Sequence, residues 1–71
     1  MITDKQRSFL FDLVCTNKDF LSSMNQNVWD ADYLDAIKFL RSKFPNMTIP
    51  DDINDLSSYE ASFLISSLKN V

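Results

Sequence analysis

Glycine and histidine are both absent from this chain of 71 residues. Glycine usually supplies the positive φ angles of tight hairpins and helix C-caps, so its absence argues against a tightly turned β protein. It also excludes the glycine-rich loops that hold phosphates and dinucleotides. Without histidine, the chain cannot form Cys–His zinc sites, and it has no imidazole to activate a serine or cysteine nucleophile.

The chain also has few of the features that point to secretion or to membranes. It contains one cysteine, Cys15, so it cannot form an internal disulfide, and we expect this residue to serve in packing. No apolar run approaches the roughly 20 residues of a membrane span, and the sequence MITDKQRS does not resemble a signal peptide. We therefore expect no membrane association and a cytoplasmic protein.

Size and composition favour one small folded domain spanning residues 1–71. Hydrophobic residues make up 45% of the chain and aromatic residues 13%, which is enough for a core. The chain has a net charge of −3, whereas nucleic-acid-binding surfaces are usually basic, so direct binding of DNA or RNA is not expected. The same charge permits binding to a basic surface on another protein.

The two ends of the chain share a helix-start pattern. Thr3 with Gln6, and Ser57 with Glu60, have the spacing of the capping box, and each pair is followed by Ser-Phe-Leu. The pattern predicts one helix from about Asp4 to Cys15 or slightly beyond, and another from about Ser58 to Lys69. Their predicted inner residues are Gln6, Leu10, Leu13 and Val14 in the first, and Ala61, Leu64, Ile65 and Leu68 in the last.

A third helix is predicted over residues 30–44. Acids at its start and bases at its end suit the helix dipole, and Pro45 ends it. The pattern leaves its start open, with Asn27 as one candidate N-cap. The predicted inner residues are Tyr33, Leu34, Ile37, Leu40 and Phe44.

Two connections complete the predicted fold. Residues 17–27 contain enough apolar positions for a short helical turn that covers the core. Residues 45–56 are expected to form an extended, ordered loop, and a single short pair of strands stays open as an alternative. The predicted fold class is all-α, with three main helices plus a short lid helix in a compact single domain.

Acidic and aromatic residues are the candidates for a binding surface. Asp30, Asp32 and Asp35 form one acidic group, which either complements a helix dipole or forms an acidic contact surface. A second group, at residues 51–55, has neither the glycine nor the Glu of a calcium loop, so we expect no metal and no cofactor.

Nine aromatic residues are too many for so small a core to bury completely. Trp29 and Tyr33 would be neighbours on one helix if it began early, and with Phe11 or Phe63 they would form an apolar patch of the kind that favours binding. The alternative is that they cover the edges of the core. The predicted partner-binding residues are Trp29, Asp30, Asp32, Tyr33 and Asp35.

The two helix-start patterns also carry a resemblance to a known module. Thr3-x-Lys5-Gln6, together with Leu56-Ser57-x-x-Glu60-Ala61-Ser62-x-Leu64-Ile65-x-x-Leu68, resembles a small helical module found as a tail on some phage and bacterial single-strand annealing and DNA-binding proteins. The match covers the first dozen and last fifteen residues, whereas the long middle departs from the module. The resemblance implies a phage or mobile-element context among DNA-processing proteins, and no catalytic residue. If a phage encodes the protein, we expect it in the cytoplasm of the host cell.

The leading hypothesis is a non-enzymatic interaction protein that binds a DNA- or RNA-processing enzyme and inhibits or recruits it. One alternative is an accessory to single-strand DNA recombination, contacting DNA through Lys5, Arg7 and the face formed by Lys38–Lys43. Another is an acidic mimic of nucleic acid, such as an anti-defence inhibitor. A self-associating structural subunit is a further alternative, so the sequence leaves a homo-oligomer open.

Overall fold

The computed structural model describes residues 1–24 and 30–69, and it confirms the all-α fold. In these residues, three longer helices and one short helix follow each other, and a 3-10 turn comes directly before the last of them. Within the described residues there is no strand, so the alternative of a strand pair is wrong for this part of the chain. The helices are α1 (Asp4–Thr16), α2 (Lys18–Ser23), α3 (Tyr33–Lys43) and α4 (Ser58–Lys69), and the 3-10 turn is Ile53–Asp55.

Both predicted capping boxes are formed. In the first, Gln6 N–H donates to the Thr3 hydroxyl and Thr3 N–H donates to the Gln6 side chain, each over 3.0 Å. Ser57 and Glu60 exchange the same two bonds at the start of α4, again over 3.0 Å. The boxes satisfy N–H groups that have no partner inside the helix, which is why α1 and α4 begin where the sequence predicts.

The starts of α1 and α4 lie side by side and are bonded to each other. Gln6 Nε2 donates to the Ser58 carbonyl and to Ser62 Oγ, both over 3.1 Å. Ile2 N–H donates to the Leu56 carbonyl over 2.8 Å. Further along the two helices, Leu13 and Leu68 line one cavity. The two helices therefore run in the same direction, and α4 is the main packing partner of α1.

The short helix α2 covers one side of the core, as predicted. Asn17 ends α1 and caps α2, since its side chain accepts from Asp19 N–H over 2.9 Å and from Phe20 N–H over 3.4 Å. The ring of Phe20 is buried and meets the edge of Phe39 with 5.4 Å between centroids. This contact between two aromatic rings joins α2 to α3.

The third helix differs from its prediction in both start and orientation. It begins at Tyr33 with Asp32 as its N-cap, which is three residues later than the predicted range 30–44, whose start the sequence left open. Asn27 lies outside the described residues. Its buried residues are Ala36, Ile37 and Leu40, whereas Tyr33 and Leu34 were predicted to be inside and are 41% and 55% exposed. The methyl group of Ala36 leaves room for neighbouring side chains, so α3 packs on the face that contains this small residue.

The connection between α3 and α4 is ordered, as predicted, and contributes to the core. Ile49, Ile53 and Leu56 are buried in it. Arg41 on α3 holds the segment in place by donating two hydrogen bonds to the Ile49 carbonyl, at 3.1 and 2.9 Å. The buried core consists of Ile2, Leu10, Val14, Phe20, Ala36, Ile37, Leu40, Ile49, Ile53, Leu56, Ala61, Leu64 and Leu68.

Candidate functional site: the start of the third helix

The predicted acidic residues lie at the start of α3, where two of them bond the backbone. Asp35 N–H donates to Asp32 Oδ1 over 3.1 Å, and Asp32 N–H donates to Asp35 Oδ2 over 3.2 Å. The pair forms a third capping box, with Asp in place of the usual Glu or Gln. Asp32 and Asp35 thus complement the helix start, which is one of the two roles considered for the acidic group, and their remaining oxygen atoms still give the surface a negative charge.

The same helix start presents an aromatic and an aliphatic side chain outward. Tyr33 packs edge-to-face against Phe11 of α1, with 4.9 Å between ring centroids and 72° between ring planes. Leu34, the next residue, is more than half exposed. We call Phe11, Asp32, Tyr33, Leu34 and Asp35 the α3-start surface. It combines a positioned aromatic ring, an exposed aliphatic side chain and two carboxylates.

The other predicted site residues are placed as follows. Asp30 is exposed and lies two residues before the N-cap. Trp29 lies outside the described residues, so its place on this surface stays a prediction. The pairing of Trp29 and Tyr33 was predicted only for a helix that starts early, and α3 begins at Tyr33, so that condition is not met.

The exposure of Leu34 was not predicted from the sequence, and the sequence left open whether Phe11 or Phe63 lies beside Tyr33. Leu34 was assigned to the core because its spacing to Ile37 fits a helical stripe. A signal was present, since Asp32 and Asp35 have the spacing of the other two capping boxes. A helix that starts at Tyr33 with Ala36 and Ile37 inside would have placed Leu34 outside.

The basic side chains proposed for DNA contact are largely engaged within the chain. Arg7 donates to Asp4 over 2.7 Å and to Asn54 over 2.6 Å. Arg41 pairs with Asp51, and Lys43 lies 2.6 Å from Asp19. Three of the proposed contacts therefore already have acidic partners, which weakens the case for a nucleic-acid face.

The remaining polar groups form no metal-binding arrangement in the described part of the chain. Residues 1–24 and 30–69 hold no group of three or more acidic, cysteine or histidine side chains arranged to bind a metal. Asp52 accepts from Asn54 N–H over 2.9 Å and so caps the 3-10 turn. Cys15 is half-buried, as expected, and burial together with nearby Asp12 raises the pKa of its thiol.

A second aromatic surface lies away from the start of α3. The rings of Phe44 and Phe63 meet edge-on with 6.4 Å between centroids. Together with Pro45 and Met47 they line an open cavity of about 450 Å³. Phe63 was one candidate to join Tyr33, but Phe11 occupies that place. Sequence spacing alone did not decide between the two, because both are aromatic residues on the flank of a helix.

None of the helices in the described ranges has the length and apolar character needed to cross a lipid bilayer.

Comparisons with known proteins give no further assignment: no family model, no curated protein and no solved structure matches this chain significantly.

Proposed function

We propose that this chain is a non-enzymatic interaction protein that docks its α3-start surface onto a nucleic-acid-processing protein and so inhibits or recruits it. The observation that carries the proposal is the exposure of Tyr33 and Leu34 beside two carboxylates, at a helix start held by its own capping box. In protein interfaces, tyrosine is enriched among the residues that contribute most to binding.

The contact between Tyr33 and Phe11 supports this role because it positions the ring before binding. An edge-to-face aromatic pair is worth about 0.5–1.5 kcal/mol beyond the burial of its surface. A ring already held in one place loses less conformational freedom when a partner covers it. Tyr33 can therefore act as a preformed anchor for a groove on the partner.

The charge around Tyr33 indicates the chemistry of the partner. Asp32 and Asp35 place carboxylates on both sides of Tyr33 and Leu34 in the sequence, and the whole chain has a net charge of −3. The complementary surface is an apolar groove with lysine and arginine at its rim. Proteins that hold nucleic acid present basic surfaces of this kind, and electrostatic attraction would speed association.

The first test is an affinity pull-down from a bacterial lysate with nuclease present, using the tagged wild-type chain and three variants. Tyr33→Ala and Leu34→Ala each remove one apolar side chain from the α3-start surface, and Trp29→Ala tests the residue that the sequence predicts to join it. Phe9→Ala is the matched control, because Phe9 is an aromatic residue of α1 with 44% exposure, close to the value for Tyr33. Circular dichroism checks that each variant keeps its helix content.

We expect Tyr33→Ala and Leu34→Ala to reduce recovery of a nucleic-acid enzyme about tenfold, which corresponds to about 1.4 kcal/mol. Phe9→Ala should leave recovery unchanged. If both α3 variants recover the same partner as the wild type, the α3-start surface is not the docking site. If every captured protein disappears with nuclease, the chain contacts nucleic acid and the proposal is wrong.

A further inference from the structure

The outer face of α4 is unusual among the described helices in its exposed aromatic area. Tyr59 is 84% exposed and Phe63 is 51% exposed, and they lie one turn apart on the side of α4 opposite the buried Ala61, Leu64 and Leu68. The α3-start surface lies on another helix, so this face is separate from the site proposed above. Exposed aromatic residues in a row are typical of a surface that another protein covers.

Large and small side chains alternate along this face. Tyr59, Ser62, Phe63 and Ser66 follow each other at i, i+3, i+4 and i+7, the spacing of a single helix stripe, and none of them is charged. We refer to these four residues as the α4 stripe. Its order is large, small, large, small, which becomes small, large, small, large when the helix is reversed. The stripe therefore complements an antiparallel copy of itself.

We propose that a second copy of this chain covers the α4 stripe, in an antiparallel helix pair with a two-fold axis between residues 62 and 63. In this register Tyr59 of each copy faces Ser66 of the other, and Phe63 faces Ser62. The serine side chains are small enough for the two helices to approach while each aromatic ring packs against the opposing backbone. Closed two-fold pairing is also the commonest symmetry of small protein assemblies.

Charge complementarity at the ends of the stripe supports the antiparallel direction. Lys69 lies in the last turn of α4, and the exposed Asp55 lies shortly before its first residue. With the axis between residues 62 and 63, Lys69 of one copy comes opposite residues 55–57 of the other, beside Asp55. A parallel pair would instead place Lys69 beside Lys69, where like charges repel.

The neighbouring apolar residues extend the contact beyond α4. Phe63 contacts Phe44 edge-to-face, and both rings line the cavity of about 450 Å³. Two helices of twelve residues bury less than the roughly 1,600 Å² of a standard interface. We therefore expect a dimer that forms at high protein concentration and dissociates on dilution.

Sedimentation velocity over a range of concentrations tests whether the dimer exists. The wild-type chain should change from monomer to dimer as concentration rises, and Tyr59→Ala should weaken the dimer at least tenfold. Tyr33→Ala is the matched control, since it removes the same side chain from α3 and should leave the dimer unchanged. A wild-type chain that stays monomeric up to about 1 mM, or equal effects of the two variants, overturns the proposal.

Cysteine cross-linking tests the direction and register. In a Cys15→Ser background, Ser62→Cys lies next to its symmetry mate and should form a disulfide-linked dimer on mild oxidation. Ser66→Cys is displaced from its mate by about 10 Å along the helix axis, because seven residues separate the two positions, and should not cross-link. Cross-linking at both positions indicates parallel helices, and cross-linking at neither excludes the α4 contact; either result contradicts the proposal.

A charge exchange gives a second check that does not depend on removing an aromatic ring. Asp55→Lys and Lys69→Asp should each weaken the dimer, and the double variant should recover most of the loss. If the two losses simply add in the double variant, the two residues do not face each other, and the proposed register is wrong.

Discussion

Glu60 shows how one side chain determines where a helix begins. Its carboxylate accepts from Ser57 N–H while its own N–H donates to the Ser57 hydroxyl. The hydrogen bond from the backbone N–H of Ser57 lowers the pKa of the Glu60 carboxyl, and the Ser57 hydroxyl lowers it further by a smaller amount. Because the charged form is favoured in the folded protein, the contribution of Glu60 to stability is present above the ordinary glutamate pKa and is lost as pH falls through the lowered value.

The first prediction concerns this pH dependence. Glu60→Gln should be less stable than the wild type at pH 7, since a neutral amide is a weaker acceptor at a helix start. The difference in melting temperature should shrink as pH falls below about 4.3, the ordinary pKa of a glutamate, because the wild-type carboxyl then becomes neutral as well. Thermal unfolding at several pH values measures this. A difference that stays constant down to pH 2 would show that the charge of Glu60 is not involved.

At the scale of the elements, Arg41 joins a helix to a segment that has little regular structure. Its guanidinium donates twice to the Ile49 carbonyl and also pairs with Asp51. The two kinds of contact differ in environment, because the side chain of Asp51 is 90% exposed whereas Ile49 is buried. Exposed ion pairs contribute about 0–1 kcal/mol to stability. Two hydrogen bonds from a charged guanidinium to the carbonyl of a buried residue, by contrast, fix the backbone at that residue.

The second prediction separates these two contacts. Arg41→Met should lower the free energy of unfolding by about 1–2 kcal/mol. It should also speed hydrogen exchange at the Asp55 and Leu56 amides, because their hydrogen bonds in the 3-10 turn belong to the segment that Arg41 holds. Asp51→Asn removes only the exposed ion pair and should change stability by less than about 0.5 kcal/mol. Equal effects of the two substitutions would show that the bonds to Ile49 do not hold the segment.

For the molecule as a whole, stability depends on a core of few side chains. The radius of gyration of 11.1 Å agrees with the value of about 11 Å expected for a folded chain of this length. Domains of about 70 residues have unfolding free energies of about 4–11 kcal/mol. A single large core residue therefore accounts for a substantial part of the total, and Phe20 is the only buried side chain of α2.

The third prediction follows from this balance. Phe20→Ala should lower the free energy of unfolding by about 3–5 kcal/mol and leave a large fraction of the molecules unfolded at 37 °C. Phe20→Leu, which keeps most of the volume, should cost less than about 2 kcal/mol and lower the melting temperature by several degrees. Urea denaturation monitored by circular dichroism measures both. Little change in Phe20→Ala would mean that α2 is not part of the cooperative core.

Helix starts are the part of this structure that the sequence determines by itself. Each capping box joins two residues only three positions apart, so Thr3 with Gln6 and Ser57 with Glu60 can form it without help from the rest of the chain. The starts of α1 and α4 were predictable for this reason. Asp32 with Asp35 has the same spacing, and using it would have corrected the start of α3.

The buried face of α3 and the surroundings of the candidate sites were decided only by the tertiary structure. Leu34 and Ala36 are both acceptable core residues, and the choice between them depends on how closely neighbouring helices approach, which no local pattern specifies. The same holds for Phe11 beside Tyr33, for Phe44 beside Phe63, and for the acidic partners that engage Arg41 and Lys43. These contacts join residues ten or more positions apart, so they exist only once the chain has packed, whereas a capping bond needs a single turn.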